Sequence, residues 1–142
     1  MIIPEIAMLC VSIITHEGVV QRVYEDSLGF RTVGIGHKVL PHEPEAHMEL
    51  GSFVSLDRIS TLFAEDCEEA VSNARSVVRD FDTHPLEVRN ILVEMAFQLG
   101  KTGLSKFEKM LHALDYRDYI TASAEMVDSK WYDHVGHRST EP

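Results

Sequence analysis

The stretch EGVVQRVYEDSLGFRTVGIGH, from Glu17 to His37, holds three carboxylates, a polar turn and a glycine-rich strand in close succession. Glu17 closes an apolar segment of helical character, and Asp26 stands beside the turn formed by residues 27–29. Residues that favour strands flank this turn, namely Val23, Phe30, Val33 and Ile35. The change of pattern predicts a helix that is followed directly by a small β-hairpin.

Glu17 and Asp26 are suited to different roles. A carboxyl group at the end of an apolar helix is partly desolvated, which favours its protonated form, whereas a carboxylate in a polar turn stays ionised. Glu17 is therefore the candidate general acid and Asp26 the candidate general base, and such pairs hydrolyse glycosidic bonds. Each also has an ordinary interpretation, as an exposed residue near a helix end and as a turn-forming aspartate.

Helical periodicity accounts for most of the remaining chain. Pro4 suits the first turn of a helix over about residues 5–16, and Gly18 is placed to end it. Ser55 is a predicted N-cap, with Asp57 in the first turn of the longer helix that follows. The other predicted helices run from Pro85 to Gly100 and over about residues 105–114 and 117–127, with a tight turn at Gly103 between them.

These patterns predict one α+β domain over residues 1–142 that is mostly helical. A small β-hairpin lobe covers about residues 19–54, and a long helix over about residues 56–78 joins it to a helical lobe. The helical lobe consists of about residues 1–16 and 80–142. Residues 38–53 lack periodicity and are predicted to form a loop.

Composition excludes several classes of protein. The net charge of −10, without a patch rich in lysine or arginine, argues against binding to nucleic acid. Cys10 and Cys67 are too few for a disulfide framework and are interpreted as two buried thiols, although one disulfide between two helices stays open. The apolar residues 6–14 are too short to span a bilayer, which takes about 20 residues. No basic residue precedes them, so we expect no membrane insertion and no export signal.

The string from Glu17-Gly18 through Tyr24, Asp26 and Gly29 to the Thr32–His37 segment resembles the phage-type lysozymes, glycoside hydrolase family 24. Two later segments agree in order and spacing: MAFQLGKTG at residues 95–103, followed by Phe107, and SKWY at residues 129–132, followed by Arg138. The resemblance covers nearly the whole chain, and its first motif is highly specific. It implies a two-lobed lysozyme-like fold.

The resemblance implies a role for each matching residue of the hairpin motif. Glu17 would protonate the glycosidic oxygen, Asp26 would orient or deprotonate a water on the opposite side of the sugar ring, and Thr32 would help to hold that water. The family is of the inverting kind, for which the two carboxyl groups stand ~6.5–9.5 Å apart.

Other matching residues would bind substrate or support the acid. Gln98 and Trp131 match positions that line the family's cleft, and Phe97 and Gly36 are assigned to the same substrate side. Arg138 matches a basic residue beside the catalytic glutamate, where it would orient Glu17. His37 and Asp66 are hypothesised to form a pair that joins the hairpin to the long helix.

The implied partner is the peptidoglycan glycan strand, cleaved by a monomer that needs no cofactor. His134 and His137 have a spacing that occurs in metal sites, but no third ligand is in register, so no metal is expected. The enzyme would be made in the host bacterial cytoplasm and would reach the cell wall after the membrane is permeabilised.

Two features depart from the family pattern. The chain ends at Pro142, four residues after Arg138, and its acidic charge gives weak or adverse steering toward an anionic wall polymer. These departures motivate an alternative, a weakly active or inactive lysozyme-like virion or wall-binding protein. A hydrolase of similar architecture directed at chitin would differ only in substrate.

Overall fold

A computed structural model describes residues 4–127, with side chains from residue 10 onward. Over this range the chain forms five α-helices and one three-stranded antiparallel sheet, so the predicted α+β class is confirmed. The helices are α1 (Pro4–Glu17), α2 (Leu56–Val77), α3 (Leu86–Ser105), α4 (Glu108–Asp115) and α5 (Tyr119–Val127). The strands are β1 (Val20–Glu25), β2 (Arg31–Gly34) and β3 (His37–Lys38), and short 3-10 helices cover Pro44–His47 and Phe81–Thr83.

The described chain divides into two compact units. The first is Cys10–Glu68, which holds the sheet together with most of α1 and the first part of α2. The second contains residues 69–127 and the beginning of α1. The lobe boundaries given above stay a prediction.

The ends of the first helices follow local sequence signals, as predicted. Gly18 ends α1 with a φ of +74°, and its N–H donates to Ile14 O over 2.8 Å. Ser55 caps α2, because its Oγ accepts the N–H of Arg58 at 3.1 Å. Both signals act within a few residues, and for that reason they can be read from sequence.

The sheet in the first unit has the order β1-β2-β3, with Tyr24 opposite Thr32 and Val33 opposite His37. Two glycines here have left-handed backbone conformations: Gly34, the last residue of β2, at φ +69°, and Gly36, in the turn between β2 and β3, at φ +65°. A Cβ atom at residue 34 would lie only 2.9 Å from Cγ2 of Ile59 on α2. The bare Gly34 therefore lets α2 pack directly on the sheet. The apolar core of this unit includes Ile13, Val23, Val33, Ile59 and Leu62.

The prediction that residues 38–53 form only a loop is wrong in part. Pro44–His47 is a 3-10 helix, and the end of the segment runs along the free edge of β1. There Val23 N donates to Ser52 O at 3.0 Å, and Gly51 N donates to Val23 O at 2.7 Å. These backbone hydrogen bonds to β1 order the segment. Over so few residues they produce no periodic pattern of side chains, so the sequence does not reveal them.

In the second unit, α3 is interrupted at Gly100, whose φ of 72° and ψ of 177° lie outside the helical region. The helix predicted to end at Gly100 therefore ends there, because the backbone leaves the helical conformation at this residue. A short helical segment follows it. Gly103 was predicted to form a tight turn but lies within that segment, where a Cβ atom would approach Leu99 Cβ to 2.8 Å. Close packing, rather than a turn, thus explains this glycine.

The same unit contains a buried histidine at the start of α3. His84 Nδ1 accepts from Arg117 Nη1 at 2.7 Å and lies 2.8 Å from the Tyr119 hydroxyl. Burial, together with the charge of Arg117, lowers the pKa of His84. The ring is therefore neutral near pH 7, because a second positive charge beside Arg117 would be unfavourable.

Cys10 on α1 and Cys67 on α2 are both buried and reduced, with their Sγ atoms 3.5 Å apart. Burial raises the pKa of Cys67, so the protonated thiol is favoured. Of the two interpretations left open by the sequence, the structure shows the buried thiols.

Within residues 4–127 there is no helix whose length and apolar character would suffice to cross a membrane.

Packing at Gly34 leads to a testable prediction. Gly34→Ala should lower the free energy of unfolding by about 3 kcal/mol, because it combines a strained positive φ with a clash against Ile59. Gly51→Ala is the matched control, since Gly51 has a φ of +91° but a Cβ atom there would meet nothing within 4 Å, and it should cost only about 1 kcal/mol. Urea denaturation measures both. Equal losses would contradict a packing role for Gly34.

Candidate active site

Glu17 is the last residue of α1, and its carboxyl group lies against the backbone of Gly36. A Cβ atom at residue 36 would stand 2.8 Å from Glu17 Oε2, closer than real Cβ contacts allow. The carboxyl group can therefore keep this position only while residue 36 is a glycine, which the positive φ also favours. The side chain of Glu17 is half-buried.

Asp26 is fixed by the turn that follows β1. Its Oδ1 accepts the backbone N–H groups of Leu28 at 2.9 Å and Phe30 at 2.8 Å. Its own N–H donates to Phe30 O at 2.8 Å. One carboxyl oxygen thus holds the turn, while Oδ2 takes no hydrogen bond from any residue in the described part of the chain. Such a carboxylate is rigid and still has an oxygen with which to accept a proton.

Thr32 on β2 is almost fully buried, at 3% exposed. Its hydroxyl donates to Phe30 O over 2.8 Å, so the hydroxyl hydrogen is occupied and the oxygen can still accept a hydrogen bond. Thr32 stands opposite Tyr24, two residues before Asp26. Because directly opposite residues share a face, Tyr24 and Thr32 belong to the same face of the hairpin, and Asp26 follows just beyond the end of β1.

His37 on β3 is held by a carboxylate on each ring nitrogen. Nδ1 lies 2.7 Å from Asp66 Oδ2 on α2, as hypothesised from the sequence, and Nε2 lies 2.8 Å from Glu43 Oε1. Burial acts to lower the pKa of His37, but the hydrogen bonds and charges of these two carboxylates outweigh it and raise the pKa to about 9. The ring is therefore an imidazolium near pH 7.

Glu43 also contacts groups other than His37. The atom Oε1 that faces His37 accepts the Leu40 N–H at 2.7 Å, and Oε2 lies 3.9 Å from Arg58 Nη2. Burial opposes the ionisation of Glu43, but the Leu40 N–H, His37 and Arg58 together lower its pKa. Glu43 is therefore a buried carboxylate with a partner for each oxygen.

Glu45 and Arg58 form a second pair beside the first. Arg58 donates from Nε and Nη2 to the two carboxyl oxygens of Glu45, at 2.9 and 3.0 Å. The hydrogen bond from Arg58 lowers the pKa of Glu45, which is only 2% exposed. Sequence reasoning missed Glu43 and Glu45, because no periodicity marks residues 38–53, and it therefore also missed their partner Arg58 on α2. The nearest signal was two glutamates among prolines close to His37.

The remaining sequence-predicted residues lie elsewhere. Phe97 and Gln98 are half-buried on α3, in the second unit. Trp131 and Arg138 lie outside the described residues. The first unit alone therefore brings together Glu17, Gly36, His37 and Asp66 around one turn of the sheet, with Asp26 and Thr32 on the hairpin.

Metal ligation has no support among the described residues, where no three His, Cys, Asp or Glu side chains are arranged to hold an ion. His134 and His137, the pair considered from the sequence, lie outside that range.

The phage lysozyme family pattern matches residues 14–140, which span all three motifs. The chain therefore belongs to the phage lysozyme family, a family of lysozyme-like hydrolases.

Individual relatives agree with this assignment at modest identity. The chain is 25% identical to probable T4-type lysozyme 2 of Dictyostelium discoideum, over 87% of this chain and 84% of that protein. It is 26% identical to the pre-baseplate central spike protein Gp5 of Enterobacteria phage T4, again over 87% of this chain but over only 25% of the much longer Gp5. A second Dictyostelium protein, probable T4-type lysozyme 1, is 21% identical over 84% of its length.

The charge state of His37 leads to a prediction about stability and pH. Because the folded-state pKa of about 9 lies above the ordinary value of 6.5, the stabilisation is complete below pH 6.5 and is lost as pH rises through 9. The difference in free energy of unfolding between the wild type and His37→Asn should therefore shrink over this window, by about 3 kcal/mol at most.

Urea denaturation at several pH values between these limits measures the effect. His42→Asn is the matched control, because His42 is an exposed histidine in the neighbouring segment. A wild-type minus His37→Asn difference that stays constant with pH would argue against an ionised His37.

Proposed function

We propose that this protein is a lysozyme that hydrolyses the β-1,4 bond between N-acetylmuramic acid and N-acetylglucosamine in peptidoglycan. The observation that carries the proposal is the carboxyl group of Glu17 seated on Gly36, within a family match that spans the chain. The names of the T4-type lysozyme relatives support the same substrate class.

Glu17 is the proposed general acid. It would donate a proton to the glycosidic oxygen, so that the leaving sugar departs as an alcohol and the remaining sugar acquires oxocarbenium character. Because residue 36 has no side chain, the carboxyl group of Glu17 can lie directly against its backbone. In this proposal Gly36 also lies on the substrate side of the site.

Asp26 and Thr32 would together manage the attacking water. A water that donates one hydrogen to Asp26 Oδ2 and the other to Thr32 Oγ1 has a lone pair free for the anomeric carbon. Thr32 suits this role because its own hydrogen is bound to Phe30 O. Proton transfer to Asp26 then completes an inverting displacement, for which a separation of ~6.5–9.5 Å between the two carboxyl groups is expected.

Residues outside the first unit complete the proposal. Gln98 would exchange hydrogen bonds with N-acetyl groups, and Trp131 and Phe97 would offer apolar faces to the sugars. Arg138 would orient Glu17. The protein would act as a monomer, made in the host cytoplasm and admitted to the wall once the membrane is permeabilised.

The alternative is a lysozyme-like component of a virion that binds the wall with little or no catalysis. The similarity to Gp5, a spike protein in which the matching region is only one part, supports this alternative. The acidic charge of this chain, which opposes attraction to an anionic wall, also weighs toward low activity.

Turbidity loss of purified peptidoglycan suspensions tests the proposed activity. Glu17→Gln and Asp26→Asn should each slow clearing by about 100-fold or more, because each removes a proton-transfer group. Glu25→Gln is the matched control, since Glu25 is exposed and adjacent to Asp26, and it should clear at the wild-type rate. A wild type that sediments with peptidoglycan but does not clear it would favour the alternative, and Glu17→Gln as active as the wild type would remove Glu17 from its role.

The inverting mechanism is tested separately by proton NMR of the first-formed product. Hydrolysis of the β-linked substrate should release the α-anomer, because water attacks from the face opposite the leaving group. Initial release of the β-anomer would instead require a double displacement through Asp26. Purified chitin oligomers, run in parallel, show whether the muramic acid unit is needed.

A further inference from the structure

We propose that Glu43 is a positioning residue for this reaction: with Asp66 it keeps His37 held on both ring nitrogens, and through His37 it fixes Gly36, the seat of the Glu17 carboxyl group. The inference rests on the proposed function of Glu17. It assigns a role to a glutamate outside the family motif.

The contacts form a continuous chain from Glu43 to Glu17. Glu43 Oε1 is 2.8 Å from His37 Nε2, and Asp66 Oδ2 is 2.7 Å from Nδ1. His37 follows Gly36 directly in sequence, and Gly36 touches Glu17 through the contact described above. A displacement of the His37 ring is therefore passed through one peptide bond to Gly36, against which the Glu17 carboxyl group lies.

The chemistry of imidazole makes this hold depend on charge. Only the imidazolium form can donate from both nitrogens at once, since the neutral ring has one donor and one lone pair. When His37 loses its proton, one carboxylate faces a lone pair instead of an N–H. That contact becomes repulsive, and the ring can keep only one of its two attachments.

The charged groups around His37 come from three elements. From residues 38–53 come Glu43 and Glu45, and from α2 come Asp66 and Arg58, with Glu65 beside Arg58. From α1 comes Glu17, which lies against the neighbouring Gly36. Carboxylates outnumber the one arginine, so this surrounding favours the imidazolium. Arg58 is engaged by both oxygens of Glu45, which limits its repulsion of His37.

The consequence is an alkaline limit on activity that is set by His37. While the imidazolium persists, Gly36 and Glu17 stay in place, and the pKa of about 9 allows this across the neutral range. Above that range His37 no longer fixes Gly36 as firmly, and Glu17 can shift. Small misplacements of a catalytic group lower the rate strongly.

Glu43→Gln is a sharp test because it is nearly isosteric. The amide oxygen can still accept from both Leu40 N and His37 Nε2, so the change removes the charge and leaves the hydrogen bonds. We expect the alkaline limb of kcat/KM to move about one pH unit toward neutral. Asp66→Asn should act alike at the other nitrogen, and Glu49→Gln, at an exposed glutamate of the same segment, should leave the limb in place.

NMR titration supplies a readout that does not depend on catalysis. The ring signals of His37 and the amide signal of Gly36 should titrate together in the wild type and shift together in Glu43→Gln. Urea denaturation at each pH ensures that only folded protein is compared. If Glu43→Gln fails to fold, the wild type alone decides, since its activity limb must coincide with the titration of His37.

Several results would overturn the inference. One is a His37 titration that moves in Glu43→Gln while the activity limb stays; another is a titration of His37 that Glu43→Gln does not move. A Gly36 amide that ignores the charge of His37 would break the proposed link at its last step. A wild type inactive at every pH would instead sink the lysozyme proposal, and coupled NMR titrations of His37 and Gly36 would still be seen if the cluster works as described.

Discussion

The carboxyl group of Glu17 can lie where it does only because residue 36 has no side chain. The residues on either side of Gly36 connect the same turn to α2. Two residues before Gly36, Gly34 leaves space for the side chain of Ile59 on α2. One residue after Gly36, His37 forms a hydrogen bond with Asp66 on the same helix. One short turn thus joins the end of α1 and the flank of α2 to the sheet, and the spacing of the glycines and the histidine follows from what each must touch.

The buried charges beside this turn stabilise the fold only as a set. Glu45 is 2% exposed and Glu43 is 7% exposed, and a lone carboxylate so placed would carry a large desolvation cost. Arg58 and the His37 imidazolium offset that cost through short hydrogen bonds. Removing one member leaves the others uncompensated, so the cluster holds one arrangement of residues 38–53 more strongly than an exposed ion pair would.

Sequence reasoning succeeded where the governing interaction is local. The end of α1 at Gly18, the cap at Ser55 and the break at Gly100 depend on neighbours within about one helical turn. The candidate site residues of the hairpin were proposed through a resemblance to a family, because their individual signals have ordinary explanations. The partners of Glu43 and Glu45 could not be found, since no local rule tells a buried glutamate in a loop from an exposed one.

The two carboxylates of the proposed mechanism are supported in physically different ways. Asp26 is held by backbone N–H groups of its own turn, and Thr32 by a backbone carbonyl, and none of these groups titrates near neutral pH. Glu17 rests on a turn anchored by His37, which does titrate. The position of Asp26, the proposed base, is therefore set by backbone groups at any pH where the fold persists. The position of Glu17, the proposed acid, depends instead on His37 staying protonated between Asp66 and Glu43. The proposed loss of activity at alkaline pH then arises on the side of the site that holds Glu17. The group that titrates there is His37, not Glu17 itself.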